Sequence, residues 1–259
     1  MKYSKLIVAI GPKHVAEVTL NRPEALNALD SPMADELHGC LLEMEGDPRV
    51  RVILLKGAGK CFCVGIDVKE LTGKTALEYR EWIERMERPL VVIARMKKPV
   101  IAQVHGVAAA NGMGLVAAAD LAIAAENARM GLTAINVGLN CVGPVLPVAR
   151  SVGRKKALEL LLYGKLIGAA EALAAGLINK AVPAGELETE ARRWAEELAE
   201  KSPIAVQIAK SGFYLSEDMD YERQFAFMNE AFARLCTTED AKEGVEAFFE
   251  KRRPVWKEK

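Results

Sequence analysis

Apolar residues recur along this chain in two rhythms. Residues 4–10 and 14–20 are apolar and strand-like, and they flank Gly11-Pro12-Lys13. That pattern predicts two strands joined by a turn. After "NRPEALNALDSP", Met33, Leu37, Cys40, Leu41 and Met44 fall at helical spacing on one face. Ser31 before Pro32 predicts the helix start, with Ser31 as N-cap, and Gly46-Asp47-Pro48 predicts its end. "VRVILLKG" reads as a buried strand and "AGKCFCVGID" as a loop. Residues 75–95 read as a long helix with Leu77, Trp82, Ile83, Met86 and Leu90 near its apolar side. "PVIAQVHG" is a further strand, residues 112–119 a short helix, and "LAIAA" the strand after it. Such strand–helix–strand alternation predicts a parallel sheet with helical crossovers.

From about residue 144 helical patterns dominate, with a short strand at "LINKAVP". Residues 186–201, 203–217, 220–236 and 238–251 read as helices, and Ser202-Pro203 marks one start. The expected organisation is an α/β core over residues 1–185 and an all-helical region over residues 186–259. Phe225, Phe232, Phe248 and Phe249 give the tail apolar faces that a small core does not cover. Faces of that kind mark interfaces, so an oligomer is expected.

Composition narrows the function classes. The chain has 259 residues, 51% hydrophobic and 27% charged, with a formal net charge of zero. Zero net charge argues against nucleic-acid binding, which needs a basic excess. Five cysteines, at 40, 61, 63, 141 and 236, form no C-x-x-C pair, so free thiols in a reducing setting are expected and no metal site is. The first apolar run breaks at Gly11-Pro12, too short for a signal segment. The longest apolar stretch, near residues 112–125, is too short to span a bilayer and is interrupted by Asp120. These features predict a cytoplasmic protein with no membrane contact.

The chemistry concentrates around "HGVAAANGMGLVAAAD", residues 105–120. Gly112, Gly114 and Ala117 fit G-x-G-x-x-A, but six residues separate the strand from the first glycine and no acid follows about twenty residues on. Both points argue against a dinucleotide site. A helix opening at Asn111-Gly112 leaves unpaired N–H groups that attract an anion or a developing oxyanion. "CFCVGID" is a second glycine loop ending a strand. Two such loops supply two donors to one oxygen, or they merely turn the chain; composition fits both.

"NRPEALNAL", "CFCVGIDVKEL", "KKPVIAQVHGVAAANGMGLVAAADLAIAAENARMGL", "GRKKALELLLYGKLIGAAEALAAGLINKAVP" and "EGVEAFFEKRRPVW" resemble, in order, the motifs of the crotonase, or enoyl-CoA hydratase/isomerase, superfamily. The resemblance runs nearly end to end. It implies a spiral of ββα units followed by a helical trimerisation region, assembled as a trimer or a dimer of trimers. It implies a coenzyme A thioester as substrate, with coenzyme A part of that substrate and no separate cofactor. The thioester oxygen would lie between the main-chain N–H groups of Ile66 and Asn111. Glu24, Ala25 and Leu26, with Val64, Gly65, Asp67 and Val68, would line the coenzyme A path. Gly112, Gly114, Thr133, Ala134, Asn140 and Cys141 would border the acyl group.

The chain also departs from that family. The two glutamates of its hydratases match Gly114 and Ala134, and the aspartate of its dehalogenase-like members matches Asn140. Each general acid or base contributes roughly 10²–10⁴ to a rate, so ordinary hydration is expected to be weak. Replacement candidates are Thr133, Asn136, Asn140 and Cys141, Cys63 and Asp67, and Glu78, Glu81 and Glu84 on the following helix. Each has a plainer role: Asp67 as a helix cap, the glutamates as a solvated face, Cys63 and Cys141 as packing residues. His105 reads as structural. "RSVGRKK" and "KRRPVWKEK" are either solubilising or phosphate-contacting clusters. The expected function is an enolate-stabilising acyl-CoA enzyme. The alternatives are a weakly active or non-catalytic thioester binder, or another CoA-ester chemistry such as hydrolysis or decarboxylation.

Overall fold

The computed structural model describes residues 3–259, so the first two residues of the expected core lie outside the described residues. In chain order the elements are β1 (Leu6–Ile10), β2 (Val15–Leu20), α1 (Ser31–Gly46), β3 (Val52–Gly57), α2 (Ala76–Arg95), β4 (Val100–Val104), β5 (Val107–Ala109), α3 (Asn111–Ala118), β6 (Leu121–Ala125), β7 (Arg129–Gly131), α4 (Val145–Tyr163), β8 (Ile167–Gly168), α5 (Ala169–Ala174), β9 (Lys180–Val182), α6 (Leu187–Ala199), α7 (Pro203–Ser216), α8 (Tyr221–Cys236) and α9 (Glu239–Glu250).

The larger sheet has the order β1-β2-β3-β4-β6-β9. The β1–β2 pair is the antiparallel hairpin, and every other pairing in that sheet is parallel. A smaller sheet, β5-β7-β8, lies across a corner of the chain from it. The chain leaves β4, turns at His105-Gly106 and enters β5; it leaves β6 and enters β7 after three intervening residues. Repeated corners of this kind wind the chain into a spiral. Strands β3, β4 and β6 are buried almost throughout, as continuous apolar runs in a covered parallel sheet must be.

Helix α1 begins one residue earlier than the sequence predicts. Asp30, in extended backbone, is the N-cap, and its Oδ1 accepts from Met33 N–H at 2.9 Å. Both Asp and Ser cap well, and Pro32 fits the second helical position as it fits the first. Ser31 is thereby freed to donate its Oγ–H to Glu70 Oε2 at 2.7 Å. Met33, Leu37, Cys40, Leu41 and Met44 are all buried, as their spacing predicts. In α2, Trp82, Met86 and Leu90 are buried but Leu77 is 59% exposed, because the first turn projects past the core. Thr75 and Glu78 close that helix start with a capping box.

Helix α6 lies on β3, β4 and β6, while α7 packs against α2, α8 and α9. One ion pair ties α7 to the sheet. Lys210 Nζ reaches Asp120 Oδ2 at 2.7 Å and the Lys98 carbonyl oxygen at 2.9 Å. Asp120 Oδ2 also accepts from Val100 N–H at 2.7 Å. Burial pushes the Asp120 carboxyl upward and the Lys210 ammonium downward, and the pairing opposes both shifts. Phe225, Phe232, Phe248 and Phe249 are exposed by 55%, 65%, 78% and 76%, so the tail's aromatic faces are uncovered in the single chain.

Candidate active site

Two segments from distant parts of the chain are stitched together at the head of α3. Cys63 N–H donates to the Val107 carbonyl at 3.2 Å, and Ala109 N–H donates to the Cys63 carbonyl at 2.9 Å. Beyond this bridge the contact is backbone on backbone. A Cβ at Gly112 would collide with the Cys63 carbonyl oxygen. At Gly65, where φ is +112°, a Cβ would lie 2.9 Å from Ala110 Cβ, 3.3 Å from the Ala109 oxygen and 3.8 Å from Asn111 N. Glycine at both positions is what lets the loops approach so closely.

That approach brings the Ile66 and Asn111 main chains together. Ile66 forms a parallel bridge with Leu29, in which Leu29 N–H donates to the Gly65 oxygen and Asp67 N–H donates to the Leu29 oxygen. A parallel bridge uses the amides on either side of its central residue, so the N–H of Ile66 itself points away from Leu29. Asn111 opens α3, and the first N–H groups of a helix have no intrahelical acceptor. Among the described residues neither N–H has a hydrogen-bond partner. Ala110 holds φ +49° and ψ −117°, a costly conformation for alanine of order 1–3 kcal/mol, which turns the chain so that α3 starts here.

The remaining predicted residues divide into three groups. Glu24, Ala25 and Leu26 form a 3-10 turn and its left-handed cap at the edge of the site, and Leu26 is 40% exposed. Their loop is fastened to the Ile66 loop by Arg22, whose sequence context gives no sign of this role. Arg22 donates to the Ala28 oxygen and to Asp67 Oδ2 at 3.0 Å, and it lies 3.2 Å from Asp30 Oδ2. Burial alone would raise the Asp67 carboxyl, but the Arg22 and Lys69 N–H bonds outweigh it and hold it below the usual range. Asp67 caps the 3-10 turn Val68–Glu70, as expected, and Val68 is exposed. Val64 is half-buried beside Gly65.

A second group lies by α3 and the 133–141 segment. Gly112 and Gly114 are buried, Thr133 and Ala134 half-buried, Asn140 exposed and Cys141 buried. No carboxylate issues from 114 or 134. A Cβ at Gly114 would lie 2.8 Å from Leu90 Cδ2 and 3.0 Å from Pro144 Cβ, so that space is filled from two other elements.

The third group serves the fold. Asn136 Nδ2 donates to the Gly164 oxygen at 2.9 Å. Complete burial pushes the Cys63 thiol up to about 12, and burial also raises Cys141, so neither is an activated nucleophile. Glu78 is committed to its capping box and Glu84 to Arg80 on the helix surface. Glu81 is exposed. His105 Nε2 lies 3.0 Å from the Gly59 oxygen, a structural contact. The basic clusters are paired only in part: Arg150 pairs with Glu217 and Asp218, Lys156 with Glu159 and Glu171, and Arg252 with Glu243 and Glu250. Among the described residues no group of three or more His, Cys, Asp or Glu is placed to hold a metal, and no helix is long and apolar enough to cross a membrane.

Solved structures share this architecture. An enoyl-CoA hydratase from Mycobacterium smegmatis matches with a TM-score of 0.94 at 37% identity, over 97% of this chain and 98% of that one. The human enoyl-CoA hydratase domain-containing protein 3 matches with a TM-score of 0.92 at 33% identity, over 97% of this chain and all of that one, 100%. The fold is therefore that of the crotonase superfamily. The sequence agrees more narrowly. The enoyl-CoA hydratase/isomerase family model matches residues 11–259. An (E)-benzylidenesuccinyl-CoA hydratase from Thauera aromatica is 38% identical, over 94% of this chain and 96% of that protein. The chain belongs to the enoyl-CoA hydratase/isomerase family.

Proposed function

We propose that this protein binds an acyl-CoA thioester and stabilises negative charge on its carbonyl oxygen with the main-chain N–H groups of Ile66 and Asn111. The observation that carries this reading is a pair of partnerless donors on loops held backbone to backbone. Withdrawing the α-proton of a thioester moves charge to that oxygen, and fixed donors in a site that excludes water stabilise it most. In this reading the acyl group runs past Gly112 and Gly114 toward Thr133, Ala134, Asn140 and Cys141. Coenzyme A lies along Glu24, Ala25 and Leu26 and along Val64, Gly65, Asp67 and Val68. Coenzyme A is part of the substrate, and the reaction uses no separate cofactor or metal. Free cysteines, four of them buried, support a reducing compartment such as the cytoplasm.

Gly114 and Ala134 favour a second reading, a thioester binder with little turnover. Calorimetry with a panel of acyl-CoAs, run beside turnover assays, separates the two. Saturable binding is expected in either case; absence of heat and of any thermal shift at millimolar ligand would remove both.

The family's trimer or pair of trimers is proposed for this chain as well. The exposed aromatic rings of α8 and α9 are large for a monomer's surface, and burying them against a copy removes that penalty. Light scattering at micromolar concentration is expected to give three or six chains. A monomer there contradicts the proposal.

A further inference from the structure

One carboxylate near the site is used by nothing else in the fold. Glu87 lies on α2 and is half-buried. Among the described residues it has no hydrogen-bond or ion-pair partner, although Arg80 and Arg85 on the same helix pair with Glu84 and Asp35. Its carboxylate rests on the backbone of Gly143, so closely that a Cβ there would overlap both oxygens and Cδ. The next residue, Pro144, lies 3.2 Å at its Cα from where a Cβ on Gly114 would stand. Leu90, one helical turn after Glu87 and on the same face of α2, lies 2.8 Å from that same point. Gly114 in turn is one turn into the helix that Asn111 opens. So the direction a side chain at 114 would take is closed by Leu90 and Pro144. The adjoining position, against Gly143, holds an unpaired carboxylate delivered from α2 instead.

We infer that Glu87 is the acid–base residue of this site, moving a proton to and from the α-carbon of a bound acyl-CoA thioester. The inference rests on the thioester reading above. In the forward step the α C–H bond breaks and its proton goes to a Glu87 carboxylate oxygen. The C–H electron pair forms the Cα–C double bond, and the carbonyl pair moves to the oxygen held by the Ile66 and Asn111 N–H groups. In the return step Glu87 gives the proton back, to the same carbon or, in a β,γ-unsaturated chain, to the γ-carbon. The second outcome shifts a double bond. No water is added, so the step needs one carboxylate rather than two, which fits a site with none at 114 or 134. Burial, with Glu84 one turn away adding to it, raises the Glu87 carboxyl above its usual range, which makes it a stronger base. The sequence gives no sign of this role, because Glu87 falls in register with the solvated glutamates of α2.

The test uses the intact protein with butyryl-CoA and 3-butenoyl-CoA in deuterium oxide. Mass spectrometry reads α-hydrogen exchange, the ultraviolet absorbance of the conjugated enoyl thioester reads double-bond shift, and calorimetry reads binding. Wild type is expected to exchange. Glu87→Gln, nearly isosteric, is expected to lose exchange by about 100-fold or more while its Kd stays within a few-fold. Glu87→Asp keeps the acid but shortens its reach, and an intermediate rate is expected. Exchange in Glu87→Gln within about threefold of wild type overturns the inference and leaves the thioester reading intact. Binding without exchange in wild type overturns it equally. No binding by wild type removes the thioester reading, and this one with it.

Discussion

Replacing Lys210 by methionine is expected to destabilise the fold by about 3–5 kcal/mol, measured by denaturant titration. The side chains of Lys210 and Asp120 are 6% and 14% exposed, so the substitution leaves a buried carboxylate whose charge nothing balances. Methionine replaces most of the volume, which separates the charge effect from a packing effect. The loss is expected to be partly reversed in Lys210→Met/Asp120→Asn. Asparagine there still accepts from Val100 N–H but carries no charge. A single-variant loss below about 1 kcal/mol would mean that water or a neighbouring group already solvates Asp120, and that α7 is held to the sheet by packing alone.

Asn111→Pro is expected to slow any acyl-CoA turnover by roughly 100-fold, about 3 kcal/mol, while Asn111→Ala stays within a few-fold of wild type. Alanine keeps the main-chain N–H, and proline deletes it. Proline is well suited to the first position of a helix, but it restricts the residue before it, and Ala110 is already held at φ +49°. Thermal denaturation of each variant therefore has to show a folded protein before the rates are compared. The Asn111 amide is buried, and its Nδ2 has no hydrogen-bond partner, so the alanine arm is the informative one. If Asn111→Ala is as damaging as Asn111→Pro in folded protein, the amide side chain is the donor that matters.

The long periodic elements were legible in the sequence because burial alone determines them. The apolar face of α1, the runs of β3 and β4, and the helices of the tail all follow from spacing. Strands β5, β7 and β8 were not legible, since two or three residues carry no period. The small sheet they form exists only through pairings between distant segments. The paired glycine loops were visible as composition, but their meeting depends on contacts such as Gly112 against Cys63, 49 residues apart in the chain and joined by no local pattern. Arg22 and Glu87 were not legible for a related reason. Each looks like one more surface charge in its own segment, and only the folded chain sets Arg22 beside Asp67 and Glu87 against Gly143. At Asp30 and Ser31 the sequence offered two good caps side by side, and the backbone used the first.

Main-chain donors have one property that side-chain donors lack. An amide N–H does not ionise in the working range of an enzyme, and it has no rotamer to lose. On the proposed reading, the means of polarising a carbonyl at the head of α3 would be independent of acidity and insensitive to which residue occupies 66 or 111, provided it is not proline. The inferred proton carrier, Glu87, is a side chain and would have neither form of immunity. A bell or a sigmoid in the rate against pH would be the signature of that carrier alone, recorded over a flat electrostatic background supplied by the peptide chain itself.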